Sequence, residues 1–313
     1  MEDREIKRGF DIYLYYWVFV FFIIFVLINY FANILKIETF DVGLMVSVVS
    51  FLFGFFISIS YSMILSRIGS LKESLAVETG RLVSLFLLSK NLGKKFHESI
   101  KESIDKYTIL TLRNYKDYNF GRDETYSIYD NSNLMELKTE LQKQSASSFF
   151  YVLGEFETTR EKLEYLTSGR LLKVMKITNY LLAMILISLL FLNRGGIVSN
   201  LLFIILSTIV AFILLIIEDY EDLRIGDYLN NISNSEQLFD LIGKDRYYPE
   251  FILGRVKLEE GRDYRIGFYN SKEKTDKIIT LTYNRSFNFN LARMTNRIKE
   301  NIPYFSKDNK KGL

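Results

Sequence analysis

The 313-residue sequence has no cysteine, one histidine (His97), one tryptophan (Trp17) and two prolines, Pro249 and Pro303. Without thiols there is no disulfide framework, no thiolate zinc site and no cysteine nucleophile. A single imidazole leaves little material for a metal centre or for histidine-based proton transfer. The scarcity of proline removes the main breaker of helices, so long helices are open to this chain. Charge of one sign is missing too: 40 Lys and Arg face 37 Asp and Glu, and the net +3 gives no nucleic-acid footprint. There is no P-loop, Rossmann glycine fingerprint, HExxH or GxSxG. An enzyme, a metal site and a cofactor are therefore not expected.

Charge is also absent locally, and that absence says most. Tyr13–Leu35 carries no charged residue, and its ~23 residues would reach about 34 Å as a helix, enough to cross a hydrocarbon core. Val42–Leu65 is equally free of charge, and Ile177–Leu192 and Ile197–Ile217 are two further apolar runs. Ile177–Leu192 is short of the roughly 20 residues a span needs, but Lys173 and Lys176 can snorkel from a helix that starts earlier. Lys36–Asp41 and Asn193–Gly196 are tight connections, so the four spans form two helical hairpins.

Arg4, Lys7 and Arg8 precede the first span, Arg67 and Lys72 follow the second, and Arg170, Lys173 and Lys176 precede the third. The positive-inside rule then expects both termini and the central region in the cytoplasm, with the chain in the plasma (inner) membrane. The first span lacks a small-residue cleavage site and is followed at once by the second, so it reads as retained rather than as a signal peptide.

The expected fold is mainly α: a four-span helical membrane protein with long cytoplasmic helices and a small C-terminal β-unit. The expected division is a first hairpin at 1–67, a helical region at 68–172, a second hairpin at 173–227 and a C-terminal region at 228–313. Gly69–Leu92 reads as an inward continuation of the second span, with Leu71, Leu75, Leu82, Leu85 and Phe86 near one stripe. Lys95–Tyr118 is a second helix on Phe96, Ile100, Ile104, Tyr107 and Leu110, and Asn119–Asn133 reads as a loop. Leu134–Lys173 is helical in two pieces around Ser145–Ser148. Arg255–Leu258, Tyr264–Tyr269 and Ile278–Tyr283 read as an antiparallel unit, followed by a short helix at Leu291–Asn301 and a polar tail. His97, among Lys94, Lys95 and Glu98, reads as a surface histidine.

One span is patterned. Ser47, Phe51, Phe55, Ser58 and Ser62 follow at steps of four, four, three and four, and so share a helix face that Gly54 borders. Two readings stay open. In the first, serine and glycine permit close helix packing and phenylalanine fills gaps; from the residues alone this one is favoured. In the second the face is a pore wall: hydroxyls solvate an ion, phenyl rings form a dewetting constriction, and their electropositive edges face an anion. No charge lies within the spans to mark a proton relay, which fits a passive channel.

Ser50-Phe51-Leu52-Phe53-Gly54-Phe55-Phe56 resembles the neck of bestrophins, anion channels whose second span carries Phe-x-x-Gly-Phe. Ile100–Tyr118, with Ile104-Asp105-Lys106-Tyr107 and Leu112-Arg113, resembles the cytoplasmic helix that follows that span. The order of elements also resembles the prokaryotic bestrophin-like membrane proteins, a group without an assigned function; there an Asp-containing, Gly-ended segment follows the fourth span, here Asp219-Tyr220-Glu221-Asp222-Leu223-Arg224-Ile225-Gly226. The resemblance covers about Tyr13 to Asp227. It implies a homopentamer with the second span around a central anion pore and Phe51 and Phe55 at the constriction. Ser47 takes a neck position that is apolar in bestrophins. Asp227 is followed by Tyr228, Leu229, Asn230 and Asn231 rather than an acidic ladder, so no calcium clasp is carried over. The expectation is a passive, homo-oligomeric anion (chloride-type) channel whose partners are the lipid bilayer and inorganic anions. The alternative is a non-conducting membrane-anchored scaffold or sensor that binds a partner through its cytoplasmic region.

Overall fold

The computed structural model describes residues 10–31, 42–113, 128–221, 228–253, 256–270, 275–283 and 305–306. The expected turn Lys36–Asp41, most of Asn119–Asn133, the segment 222–227, the helix expected at Leu291–Asn301 and the tail after Ser306 lie outside those residues.

The chain divides into two compact units, Met1–Leu71 with Ser168–Asp227, and Lys72–Thr167 with Tyr228–Leu313. The first is the apolar unit. It holds α1 (Phe10–Phe31), the first half of α2 (Val42–Ser89), α5 (Lys173–Leu192) and α6 (Ile197–Glu221). Among the described residues four helices are long and apolar enough to cross a membrane, and they include α1, α2 and α6; the apolar part of the remaining one is α5. At 1.5 Å per residue α1 measures about 33 Å and α2 about 72 Å.

α6 packs against both α1 and α5. Phe203 is the junction: its ring meets Phe25 of α1 edge-on at 5.8 Å and Phe191 of α5 at 5.9 Å. Ala183 and Ala211 let α5 and α6 approach closely, and Phe53 inserts α2 into the same core.

Polar side chains fasten this unit at three levels. At one end Lys176 of α5 donates to Glu218 (2.8 Å) and Glu221 (3.1 Å) of α6, Tyr180 also donates to Glu218, and Arg67 of α2 donates to the Glu221 carbonyl at 3.1 Å. Lys176 thus bridges two helices. Further along, Asn179 of α5 donates to Ser60 of α2 at 2.7 Å, both side chains buried. At the other end Arg194, in the α5–α6 turn, lies over the Phe191 ring at 3.8 Å and reaches the carbonyls of Ile28 and Asn29 at 3.5 Å. Those carbonyls belong to the last turn of α1, where a cation is favoured by the helix dipole.

The second, polar unit holds the rest of α2, then α3 (Lys94–Arg113), α4 (Glu140–Ser168), α7 (Tyr228–Ile242) and a sheet of β1 (Arg246–Pro249), β2 (Asp263–Asn270), β3 (Thr275–Tyr283) and the two-residue β4 (Phe305–Ser306), in the order β1-β2-β3-β4. Its core is the stripe Leu82, Leu85 and Phe86 of α2 against Phe96, Ile100 and Ile104 of α3, Phe149, Leu153 and Phe156 of α4, Phe239 of α7, and Tyr248, Tyr264 and Ile266 of the strands. Gly93 turns the corner from α2 to α3 at φ 105°, and a Cβ there would press on Glu136 at 2.8 Å. His97 closes the corner: its Nδ1 pairs with Ser89 Oγ at 2.7 Å and its ring lies 4.7 Å from that of Phe86. It is half-buried between two helices rather than a surface histidine.

Three expectations change here. α4 is one helix and does not break at Ser145–Ser148. Ser145 and Ala146 are buried on it, and Asn91 donates to Ser145 Oγ at 3.3 Å, so the small residues serve packing. The chain leaves the helix at 169–172 instead, where Gly169 follows Ser168. The α4 start is a reciprocal cap: Gln142 N–H donates to Thr139 Oγ1 at 3.2 Å and Thr139 N–H to Gln142 Oε1 at 3.0 Å.

Second, the sheet is mixed rather than antiparallel. Its first strand is Arg246–Pro249, parallel to β2, while 256–258 is not a strand. Tyr247 and Tyr248 fit a buried strand, and Pro249 is tolerated because β1 is an edge strand. Gly267 of β2 sits under the Tyr247 ring, where a Cβ would collide with it. Third, Tyr228–Ile242 is a helix that had not been expected. It buries Ile232, Leu238, Phe239 and Ile242 and ends at Gly243, φ 65°, with Lys244 N–H bonded to the Phe239 carbonyl at 3.0 Å.

Arg265 of β2 fastens the sheet to α3. Its two terminal nitrogens donate to Asp105 at 2.6 and 2.7 Å, its Nε donates to the Asp245 carbonyl, and its guanidinium lies 5.1 Å from the Phe239 ring. Both partners are mostly shielded, at 14% and 8% side-chain exposure. Removing one charge from such a pair strands the other, at a cost of about 3 kcal/mol. Asp105→Asn is therefore expected to lower the unfolding stability of the polar unit by about that amount in denaturant titrations of the full chain; an unchanged midpoint would show that the pair does not hold the sheet.

Candidate functional site

α2 has two faces along its apolar half. Phe53, Ser60, Ile64 and Ile68 are buried, with Val46, Val49 and Ile57 half-buried beside them. These residues recur at three and four, and they fix the rotation of the helix. At about 100° per residue, the centre of the Ser47, Phe51, Gly54, Phe55, Ser58 and Ser62 stripe falls roughly 140° away from them. The structure places all six of these residues together on the outward face, and all six are exposed. Phe51 is 73% and Phe55 53% exposed, against 5% for Phe53 between them.

This placement bears on the two readings of the stripe. A methyl group added at Gly54 would meet nothing within 4 Å. Among the described residues the glycine therefore admits no neighbouring helix, and both phenyl rings lie outside the packed core. Packing of the stripe would then be against something other than the described residues of the same chain. The Ser47 hydroxyl donates to the Gly43 carbonyl at 3.0 Å, one turn back on its own helix, which keeps its oxygen available as an acceptor. No carboxylate occurs on α2 from Val42 to Lys72, and the first two charges met are cationic, Arg67 and Lys72.

A second polar constellation lies in the polar unit, and sequence reasoning missed it. Glu78 of α2, Tyr107 of α3 and Arg160 of α4 are each at most 4% exposed. The Tyr107 hydroxyl donates to Glu78 Oε1. Burial pushes the Glu78 carboxyl up to about 7, against the lowering pull of the Tyr107 hydrogen bond and the Arg160 charge. Arg160 Nη1 lies 3.9 Å from Glu164 Oε2, beyond hydrogen-bond reach, and its Nε and Nη1 are buried without an acceptor. The signal was present in the sequence: Glu78 interrupts the Leu71, Leu75, Leu82, Leu85 stripe at a core position, and Arg160 sits between Phe156 and Leu163 in the same way.

The other charge clusters are self-compensated. Arg246 binds Asp240 with Nε at 3.1 Å and a terminal nitrogen at 2.6 Å, and Arg262 adds a contact to the same carboxylate, which is held below its usual range by these partners. Among the described residues no group of three or more His, Asp or Glu is placed to hold a metal ion. Asp219 and Glu221 end α6 as buried residues, while Asp222–Gly226 of the quoted segment lies outside the described residues.

The cysteine-free chain makes the face of α2 directly testable by single cysteines. With the full chain in a bilayer, Ser58→Cys and Ser62→Cys are expected to react with a charged, membrane-impermeant thiol reagent, and Ile64→Cys on the buried face is not. Equal protection of all three would show that the stripe meets lipid or protein rather than water.

No protein-family model, no curated protein and no solved structure matches the chain.

Proposed function

We propose that the chain is a subunit of a passive, anion-permeable channel in which copies of α2 surround a central path. The reading rests on one observation above all: the Ser47–Ser62 stripe is outward and uncovered while the opposite face of α2 is packed. In an oligomer that stripe would alternate hydroxyls with phenyl rings. Serine oxygens and hydrogens replace part of an ion's hydration, and rings of Phe51 and Phe55 give an apolar constriction. Anion preference follows from charge. Cation pores use carboxylate rings, and α2 has none before Glu73, whereas Arg67 and Lys72 are cationic. The resemblance to bestrophins, carried by the Ser50–Phe56 segment, supports the same reading and adds a pentameric stoichiometry. The chain is then an integral membrane protein of the inner membrane, with the polar unit and both termini in the cytoplasm, as the distribution of Lys and Arg implies.

A second reading, a membrane-anchored scaffold or sensor, is favoured by the polar unit itself. It has its own extensive core and leaves Tyr151 and Tyr165 of α4 71% and 75% exposed, which suits partner binding.

The discriminating experiment is reconstitution of the purified chain in planar bilayers under opposed chloride and sodium gradients. The channel reading expects a current that reverses near the chloride equilibrium potential, with Phe51→Ala and Phe55→Ala raising the open fraction or the unitary current. Absence of conductance at all voltages, or cation selectivity, refutes it and leaves the scaffold reading.

A further inference from the structure

Four polar side chains meet in the interior of the polar unit. Glu78 and Ser74 lie one turn apart on the buried stripe of α2, Tyr107 faces them from α3, and Arg160 stands on α4. Aromatic packing surrounds them: the Tyr107 ring meets that of Phe156 at 5.1 Å, and Phe156 is one turn before Arg160. The Ser74 hydroxyl and two guanidinium nitrogens of Arg160 are buried with no hydrogen-bond partner among the described residues. Leucine at position 78 would continue the stripe and stabilise the bundle by apolar burial. A carboxyl there costs stability, more so when ionised, and it does not make the ideal bidentate pair seen at Asp105 and Arg265. Such a group has a use where its charge changes.

We propose that Glu78, Tyr107 and Arg160 form a buried proton-binding site, and that the gain or loss of one proton there sets how firmly α2, α3 and α4 hold together. The groups that face Glu78 are the Tyr107 phenol from α3 and the Arg160 guanidinium from α4, with Glu164 behind Arg160. Arg81, three residues further on α2, is committed to Glu155, with a terminal nitrogen 2.7 Å from Oε2. With the proton bound, Glu78 is neutral in an apolar core. When the proton leaves, a carboxylate remains, stabilised by the Tyr107 hydroxyl and the Arg160 charge and opposed by desolvation, which is the largest effect. The folded site thus binds its proton more tightly than the unfolded chain does. Stability is full below about pH 4.5, the ordinary carboxyl value, and is lost as pH rises through about 7. Because α2 is one helix from Val42 to Ser89, the helix gripped at this site is also the one that carries the Ser/Phe face. The site stands on the polar unit alone and does not depend on conduction.

The test uses the full chain in detergent or lipid and two readouts. Infrared difference spectra between pH 5 and pH 8.5 are expected to show a protonated buried carboxyl band that disappears with rising pH, and that is missing in Glu78→Gln. Over the same range the folded-to-unfolded ratio is expected to fall by roughly two orders of magnitude in wild type, seen as a drop in Tm, and to stay nearly flat in Glu78→Gln. Tyr107→Phe removes the hydrogen bond that favours the carboxylate, so its titration midpoint should move to higher pH, which a simple packing defect would not do. A wild-type transition retained in Glu78→Gln, or an unmoved midpoint in Tyr107→Phe, overturns the proposal. Absence of current from the same preparations would bear on the channel reading and leave this one standing.

Discussion

The rotation of α2 about its own axis is the constraint on which the rest depends. It is set by a short series of inward residues, Phe53, Ile57 and Ser60, that seat the helix in the core shared with α1, α5 and α6. Helix geometry then leaves no choice about the opposite face. Ser47, Phe51, Gly54, Phe55, Ser58 and Ser62 must point away from the rest of the apolar unit. Phe53 and Phe55 are two residues apart with opposite fates, one in the core and one 53% exposed. The proposed function is motivated by that split, and Leu44, Val48, Met63 and Leu65 share the uncovered side of α2 with the Ser/Phe stripe.

Apolar packing alone would hold that rotation loosely in a bilayer, because lipid tails are as apolar as leucine. The structure supplies polar fasteners where rotation and sliding would otherwise be free. Asn179 and Ser60 lock α5 to α2 inside the unit, Lys176 ties α5 to α6, and Arg67 ties α2 to the α6 terminus. Arg194 does the same for α1 from the opposite end. Each such group would be costly if left unpaired in a low-dielectric interior, so each specifies one arrangement over its neighbours. The polar unit repeats this logic with Asp105 and Arg265, and departs from it around Glu78, Ser74 and Arg160.

The four apolar helices and the core stripes Leu82, Leu85, Phe86 and Phe96, Ile100, Ile104 were legible in the sequence, because hydrophobic periodicity is a local property. The membership of the Ser/Phe stripe was legible too, but not its direction: spacing assigns residues to a common face, and only the tertiary partners decide which face turns inward. β1 and α7 were missed for different reasons. Arg246–Pro249 is too short for a period to register and ends in proline, while Tyr228–Ile242 is rich in Asn and Ser, poor helix formers that tertiary burial of Leu238 and Phe239 overrides. Asp105 and Tyr107, noticed within a motif, turn out to meet Arg265 and Glu78, partners far away in the chain that no local pattern announces. The acidic end of α6, which counts little in the topology rule, supplies the Lys176 clasp.

The proposed channel requires the uncovered face of α2 to meet its counterparts from other copies of the chain. A structure of the purified chain in lipid, determined as the oligomer, measures this directly. A channel requires a ring of subunits with Phe51, Phe55, Ser58 and Ser62 around a continuous central path and Phe53 inside each protomer. A monomer, or an assembly with that face turned to lipid and no axial path, would contradict it.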